Sequence, residues 1–222
     1  MSQIAEKQYR SWEGCHSESL HYEIVYYARI ALRTYARIVV GEKGLASRVE
    51  IVLAQTRLID SPYYTINPSG RVPYLVRNDG IGMEESTLIC SYLDHLDGQP
   101  ELTPPTGVSE WEWRRLDALA SSLLDGLSVW GREIVRPETE QSPTVIRHET
   151  ARAHRMIELW EKEVDRPVMR GKLNLVQIRL ACALGLDARN PQFRWRPGHP
   201  KLSAWFDSIT ARPSFAATVP SP

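Results

Sequence analysis

The sequence is poor in cysteine, and the cysteines it has form no pattern. The chain of 222 residues contains three, Cys15, Cys90 and Cys182. They are odd in number, widely separated and free of any Cys-x-x-Cys pair, which argues against a disulfide framework or a zinc site and favours a reducing compartment. Cys90 and Cys182 fall in apolar segments with helical spacing, so we expect both to be core residues.

Long apolar runs and net charge are also missing. No stretch is long and apolar enough to span a membrane, and residues 1–20 lack the apolar core of a secretory signal. We therefore expect a cytoplasmic protein with no membrane partner. Lys plus Arg and Asp plus Glu both number 27, so no net field attracts nucleic acid, and nucleic-acid binding is disfavoured.

The histidines form no cluster with metal-ligand spacing. Among the six, His148 and His154 lie on one predicted helix but face different directions. We expect no metal site.

The run NPSGRVPYL at residues 67–75 is the most informative segment of the chain. Pro68 and Gly70 predict a turn, and Val72 with Pro73 begins a short apolar strand. Because proline cannot donate to a β ladder, we expect Pro73 to leave an unpaired strand edge. The backbone N–H and C=O of Val72 would then pair with an extended peptide.

A hairpin and a helix start follow this strand. The Asn-Asp-Gly turn at residues 78–80 predicts a hairpin, with residues 81–84 as the returning strand. Glu85 and Ser86 then precede apolar residues at helical spacing. At a helix start, the Ser86 hydroxyl and free backbone N–H groups suit a carboxylate, and Glu85 can take an ammonium group. A γ-glutamyl group carries both charges on one carbon, so the pattern points to glutathione.

The remaining patterns predict two domains of different type. Residues 21–27 and 48–54 are predicted strands on either side of a helix at 34–43, which indicates a small mixed sheet with helices on both faces. Apolar residues at spacings of three and four then predict two long antiparallel helices and a third, more apolar helix at residues 172–184. The third helix is expected to begin with a capping box of Asn174 and Gln177.

We place the domain boundaries where the composition changes. The predicted units are a polar extension at 1–20, a first domain at 21–98, a linker at 99–108 and a helical domain at 109–222. The linker is rich in the residues that end helices.

The segment from Asn67 to Ser86 resembles the N-terminal domain of the glutathione transferase superfamily, whose pattern Asn-Pro-x-Gly-x-Val-Pro followed by Glu-Ser it matches. The runs LDGL, REIVRP and HPKLSAWF at residues 124–127, 132–137 and 199–206 resemble the C-terminal domain of bacterial members. The resemblance covers nearly all of residues 22–220. It implies an α+β thioredoxin-like domain followed by an all-α helical-bundle domain, in a homodimer that uses glutathione as co-substrate in detoxification.

The resemblance also implies a glutathione site, formed by Arg71, Val72, Pro73, Glu85 and Ser86. Arg71 would hold the glycyl carboxylate of the tripeptide. Its alternative is a solvated turn residue with no ligand.

The residue that activates the thiol is less clear from the resemblance. Most bacterial members carry a Ser or Cys followed by Pro in the loop after the first strand, and the alignment places Ile30 and Ala31 there. Tyr26 falls where tyrosine-type classes carry their catalytic hydroxyl, so it is the candidate donor to the thiolate. Its alternative is an ordinary strand residue. Thr34 and Tyr35 are weaker candidates for the same role.

The leading functional hypothesis is a glutathione S-transferase that activates the thiol for attack on a small hydrophobic electrophile. A glutathione-dependent isomerase or dehalogenase is the alternative on the same scaffold, since a fold does not fix the chemistry. Thiol reduction is disfavoured because no cysteine lies near residues 28–35. A third hypothesis is a non-catalytic glutathione-binding or regulatory protein that has lost the usual Ser or Cys of the first loop.

Overall fold

The structure is a computed structural model that describes residues 22–26, 31–56, 58–104, 107 and 109–218, without the side chains of residues 22–26 and 31–33. The predicted extension at residues 1–20 and Cys15 lie outside the described residues. Within the described ranges, the strands all precede Glu85, and the long helices follow residue 109.

The first part of the chain forms a four-stranded sheet of order β2-β1-β3-β4. Strand β1 (Tyr22–Tyr26) pairs in parallel with β2 (Val49–Leu53), and helix α1 (Ala31–Glu42) connects the two. Strands β3 (Tyr74–Val76) and β4 (Gly82–Glu84) form an antiparallel hairpin whose first strand pairs with β1. A parallel pair needs a crossover connection, which α1 provides as predicted.

Strand β3 does not lie at an edge of the sheet. Because β1 and β4 pair with it on both sides, the expectation that Pro73 leaves an unpaired strand edge is wrong. The unpaired backbone lies one step earlier: β3 begins at Tyr74, and Val72 makes no backbone hydrogen bond to any described residue. The backbone groups available for pairing therefore lie at the end of β3 and not along its side.

Two short elements complete this part of the fold. Helix α2 (Tyr63–Ile66) precedes the turn that leads into Val72, and helix α3 (Ser86–His95) follows β4 directly. Gly80 has a φ of +80° in the predicted hairpin turn, a conformation that glycine adopts without steric cost. The hairpin therefore forms where the Asn-Asp-Gly run places it.

The second part of the chain is helical throughout its described residues. Its two long helices are α4 (Glu110–Glu133) and α5 (Pro143–Glu163), as the sequence predicts. The shorter helices are α6 (Pro167–Arg170), α7 (Leu175–Leu184), α8 (Pro200–Thr210) and α9 (Pro213–Ala216), with 3-10 turns at Glu138–Glu140 and Gly185–Ala188. None of these helices is both long and apolar enough to cross a bilayer, nor is any other helix of the described residues.

Helix α7 is the centre of the helical part, and all of its residues are buried. Asn174 caps it as predicted, since its Oδ1 accepts the N–H of Gln177 at 3.1 Å. The reciprocal half of the expected capping box is wrong. The amide nitrogens of Gln177 and Asn174 both donate to the carbonyl of Val168, at 3.0 and 2.8 Å. The polar pair thereby connects α6 to the start of α7.

One apolar core runs through both parts of the chain. It joins residues of α1 and α3, such as Ile38 and Ile89, to residues of α4 and α7, such as Leu116 and Leu180. Cys90 and Cys182 are buried in this core, as expected, and burial raises the pKa of both thiols. Both cysteines are therefore protonated packing residues.

Candidate functional site

The register of the sheet brings the predicted site residues to one end of three neighbouring strands. Tyr74 of β3 lies opposite Val25 of β1 and Glu84 of β4. The predicted site residues lie just beyond that row: Tyr26, Val72 with Pro73, and Glu85. Adjacent strands are about 4.8 Å apart, so the row spans about 10 Å from β1 to β4. An extended tripeptide, at about 3.3 Å per residue, has a similar length.

The peptide bond between Val72 and Pro73 is cis. Pro73 is buried and Val72 is half-buried. The N–H and C=O of Val72 are not bonded to any described residue. This end of the sheet therefore offers one donor and one acceptor from the same residue, which an extended peptide can pair with.

The turn before Val72 is held from inside the protein. Asn67, which is only 3% exposed, donates from Nδ2 to the carbonyl of Arg71 at 2.9 Å and accepts the N–H of Ser69 at 3.1 Å. The hydroxyl of Tyr63 donates to the same Arg71 carbonyl. These contacts fix the backbone of Arg71. Its side chain is exposed and forms no ion pair with a described residue.

Helix α3 is capped by Glu85 and not by Ser86. Glu85 has a φ of +80°, and its Oε2 accepts the N–H of Thr87 at 2.8 Å and, more weakly, that of Leu88 at 3.4 Å. The expectation that several backbone N–H groups are free at this helix start is therefore wrong, because the neighbouring carboxylate takes two of them. The N–H of Ser86 has no acceptor among the described contacts.

The pair Glu85 and Ser86 presents opposite chemistry within two residues. Glu85 is exposed and carries a carboxylate that suits an ammonium ion. Ser86 is 5% exposed and combines a hydroxyl with a backbone N–H at the positive end of the α3 dipole, which suits a carboxylate. A ligand with an α-amino acid end matches both groups.

A buried arginine lies behind this helix start. Arg179 of α7 donates to Thr87 Oγ1 of α3 at 2.7 Å, to the Tyr35 hydroxyl of α1 at 3.2 Å and to Asp117 Oδ2 of α4 at 3.0 Å. Its guanidinium carbon also lies 4.9 Å from the centroid of the Tyr35 ring. Sequence reasoning missed this cluster. The available signal was a single arginine in the otherwise apolar run LVQIRLACAL.

The contacts of Arg179 argue against Tyr35 as the residue that activates the thiol. Tyr35 is fully buried and its hydroxyl is bonded to Arg179. Burial first, and then the neighbouring Cys90, raise the pKa of Tyr35 well above its ordinary value. A hydroxyl in this position cannot meet a thiol at the end of the sheet. Thr34 is half-buried at the same helix.

Tyr26 remains a prediction. It is the last residue of β1 and pairs with Leu53 of β2. Its side chain lies outside the described residues, as do residues 27–30, including Ile30.

The described residues contain no group of three or more His, Cys, Asp or Glu side chains that could hold a metal ion. The groups that this part of the chain presents suit an extended peptide with one zwitterionic end.

Two family models match the two parts of the chain. Residues 35–96 match the glutathione S-transferase N-terminal domain, and residues 143–208 match the glutathione S-transferase C-terminal domain. The chain belongs to the glutathione transferase superfamily. Its fold is that of the superfamily, a thioredoxin-like domain followed by a helical domain.

Solved structures of superfamily members are similar over almost the whole chain. A glutathione transferase family member from Pseudomonas fluorescens Pf-5, with bound glutathione, superposes with a TM-score of 0.82 at 26% identity, over 90% of this chain and 100% of the other. A glutathione S-transferase from Methylobacillus flagellatus, also with bound glutathione, has a TM-score of 0.80 at 26% identity, over 90% and 100% of the two chains.

Sequence relatives include members with and without an assigned activity. The uncharacterized GST-like protein YibF of Escherichia coli K12 is 29% identical over 185 residues, which are 82% of this chain and 91% of that protein. Glutathione S-transferase 2 of Saccharomyces cerevisiae is 35% identical over 98 residues, or 42% of each chain.

Proposed function

We propose that this chain is a glutathione S-transferase, which binds glutathione and activates its thiol for attack on a small hydrophobic electrophile. The observation that carries the proposal is the sheet register. It brings the backbone of Val72, which is bonded to no described residue, one strand spacing from the Glu85–Ser86 helix start, within a row from β1 to β4 that is about as wide as an extended tripeptide is long. Superfamily membership and the glutathione bound to the two similar structures support the same ligand.

Each predicted site residue then has a separate part in binding. The cysteinyl residue of glutathione pairs with the backbone of Val72, and Pro73 fixes the orientation of that backbone. The γ-glutamyl ammonium meets Glu85, and the γ-glutamyl carboxylate meets the N–H and hydroxyl of Ser86. The exposed Arg71 meets the glycyl carboxylate.

Tyr26 is the proposed catalytic residue, and its hydroxyl donates a hydrogen bond to the thiolate. The pKa of a free thiol is about 8.5, and lowering this pKa by one unit requires about 1.4 kcal/mol of preferential binding of the thiolate. One well-aimed hydroxyl donor supplies an interaction of that size. Thiolate formed in this way is the nucleophile that attacks the electrophile.

Four further parts of the proposal rest on the sequence and on family membership. The domains are bounded at residues 21–98 and 109–222. The active form is a homodimer, and the protein works in the cytoplasm, in detoxification. The electrophile binds against the helical domain.

The second candidate is a protein that binds glutathione without catalysis. The observation that favours it is a feature of the sequence after β1, where Ile30 and Ala31 stand in place of the usual Ser or Cys with Pro. An isomerase or dehalogenase that uses glutathione would need the same activated thiol as the transferase. The test below therefore supports or excludes both activities together.

The deciding experiment is the thiolate absorbance of bound glutathione, titrated against pH in the wild type and in Tyr26→Phe. The proposal expects a bound-thiol pKa clearly below the free value in the wild type, and a return toward the free value in the variant with binding preserved. Binding with no pKa shift in the wild type would establish the non-catalytic alternative. A shift that survives in Tyr26→Phe would mean that another group activates the thiol.

A further inference from the structure

Arg179 is an unusual residue for the place it occupies. It lies in the middle of α7, whose other residues are almost all apolar, and its side chain is 2% exposed. Its three hydrogen-bond partners come from three different helices: Tyr35 from α1, Thr87 from α3 and Asp117 from α4. The guanidinium is therefore a polar junction between the thioredoxin-like and the helical parts of the chain.

Stability alone does not account for this junction. The removal of two charges from water costs several kcal/mol per ion, and well-packed apolar side chains often serve stability as well as a buried ion pair does. The polar satisfaction here is also incomplete, because Arg179 Nε and Asp117 Oδ1 are buried with no hydrogen-bond partner among the described residues. A buried ion pair with unsatisfied atoms destabilises the fold, so a role other than stability would account for its presence.

The shortest of the three bonds leads to the proposed glutathione site. Arg179 Nη2 donates to Thr87 Oγ1 at 2.7 Å, and the N–H of Thr87 donates to Glu85 Oε2 at 2.8 Å. Thr87 thus connects the guanidinium to the carboxylate that caps α3. Ser86 lies between Glu85 and Thr87, and its hydroxyl donates to Glu85 Oε1 at 3.4 Å.

The charges of the cluster and of the site also interact. Burial raises the pKa of Asp117, Arg179 opposes that effect, and Glu85 adds to it. The guanidinium of Arg179 lies within hydrogen-bond distance of both Thr87, in the first turn of α3, and Asp117 of α4.

We propose that Arg179 is a positioning residue for the γ-glutamyl end of glutathione: through Thr87 it holds the Glu85–Ser86 turn in its binding geometry, while Asp117 orients the guanidinium. This inference rests on the proposed function, because it assigns a role within that binding site. Its consequence is that glutathione affinity depends on a side chain of the helical domain that does not touch the ligand.

The test compares two variants that each remove one acceptor from the same nitrogen. Thr87→Val is nearly isosteric and removes the acceptor on α3. Tyr35→Phe removes the acceptor on α1 and leaves the first turn of α3 intact. Both should lower thermal stability slightly, since each leaves Arg179 Nη2 with one partner fewer. Only Thr87→Val should weaken glutathione binding, by about tenfold in Kd measured by calorimetry.

A double-mutant cycle separates positioning from a general loss of structure. If Thr87 acts through Ser86, the effects of Thr87→Val and Ser86→Ala on Kd should be markedly less than additive. The bound-thiol pKa at saturating glutathione should stay at its wild-type value in Thr87→Val, because the thiol end of the ligand is not affected. Additive effects, or a changed thiol pKa, would overturn the inference.

Arg179→Lys provides an independent variant. Lysine keeps the positive charge beside Asp117 but has no second nitrogen to reach Thr87, so it should reproduce the tenfold loss of affinity. If the wild type binds glutathione and Thr87→Val, Arg179→Lys and Tyr35→Phe all bind it with the wild-type Kd, the positioning role is overturned and the proposed function stays intact. Absence of glutathione binding in the wild type would overturn both.

Discussion

Helices α3 and α7 begin in the same way but in different surroundings. Each has ten residues, and each is capped by the side chain of the residue before it. The cap of α7, Asn174, is 1% exposed; its side chain accepts the N–H of Gln177 and donates to the carbonyls of Val168 and Lys172. The cap of α3, Glu85, is exposed and has a positive φ.

The difference shows how one physical device serves two purposes. Both helix starts have N–H groups that need acceptors. At α7 the protein supplies the acceptor from within and also ties down a neighbouring helix, so the start is closed. At α3 the carboxylate satisfies Thr87 and Leu88, whereas the N–H of Ser86 has no acceptor among the described residues. A closed helix start stabilises the fold, whereas an open one is available to a ligand.

The largest effect on glutathione binding is expected from substitutions at the start of α3. The double change Glu85→Ala with Ser86→Ala removes the two side-chain contacts to the γ-glutamyl group and leaves only the backbone N–H of residue 86. Each hydrogen bond to a charged group contributes about 1.5–3 kcal/mol. Retention on immobilised glutathione should be abolished. Unfolding free energy should decrease by only about 1 kcal/mol, because the lost cap is exposed. Retention of the variant at the wild-type level would contradict the assignment of the site.

The opposite pattern is expected at α7. Asn174→Ala removes the cap of a buried helix and one of the donors to the Val168 carbonyl, so unfolding free energy should decrease by about 2–3 kcal/mol. Glutathione Kd should stay within about twofold of the wild type. Asn174→Asp is the matched variant, since it keeps the capping oxygen and loses only the donor; it should cause a smaller decrease. Urea unfolding and calorimetry measure the two quantities.

Gly70 should affect stability and binding together, because it lies in the turn that leads to Val72. It has a φ of +65°, and a Cβ there would lie 2.7 Å from Tyr64 Cε1. Gly70→Ala should decrease the unfolding free energy by about 1–2 kcal/mol and raise glutathione Kd severalfold through displacement of Arg71 and Val72. Gly80→Ala is the control, with a similar φ of +80° but nothing within 4 Å of the added Cβ. It should lower stability and leave Kd unchanged.

The smallest effect is expected from an ion pair far from both helix starts. Arg212 donates to Glu42 at 2.9 and 2.7 Å, and these bonds hold the pKa of Glu42 below its ordinary value against the opposing effect of burial, with help from Ser214. A depressed carboxyl pKa contributes stability that is present above the unfolded-state value, near 4.5, and is lost as the pH falls through the lower folded-state pKa.

Glu42→Gln should therefore decrease the unfolding free energy by about 1 kcal/mol at pH 7. The difference from the wild type should shrink as the pH falls below about 4, because the wild-type carboxyl is then protonated as well. Urea unfolding at both pH values measures this, and glutathione Kd should not change. A difference that is constant with pH would mean that the charge of Glu42 is not involved.

The sequence predicts the local elements well because their signals are local. The strands at 21–27 and 48–54 and the hairpin after Pro73 appear within a few residues of their predicted bounds, and the two long helices form. Val72, Pro73, Glu85 and Ser86 also lie together as expected, since a hairpin connects them. Short-range turn and periodicity rules decide such features.

The features that the sequence did not predict depend on distant residues. Arg179 contacts Tyr35 and Thr87, which are 144 and 92 positions away along the chain, and no spacing rule links such residues. The position of β3 inside the sheet depends on its pairing with β1. The choice of Glu85 over Ser86 as the cap depends on a positive φ that propensities would not assign to glutamate.

The complete burial of α7 has a consequence for how the chain opens. Its amide hydrogens are surrounded by residues from both parts of the single core, so they should exchange with solvent only when the whole chain unfolds. The first turn of α3 is at the surface and should exchange through small local openings. The amide hydrogens at the start of α3 should therefore exchange faster than those at the start of α7. A ligand bound at Ser86 should slow exchange only at the start of α3.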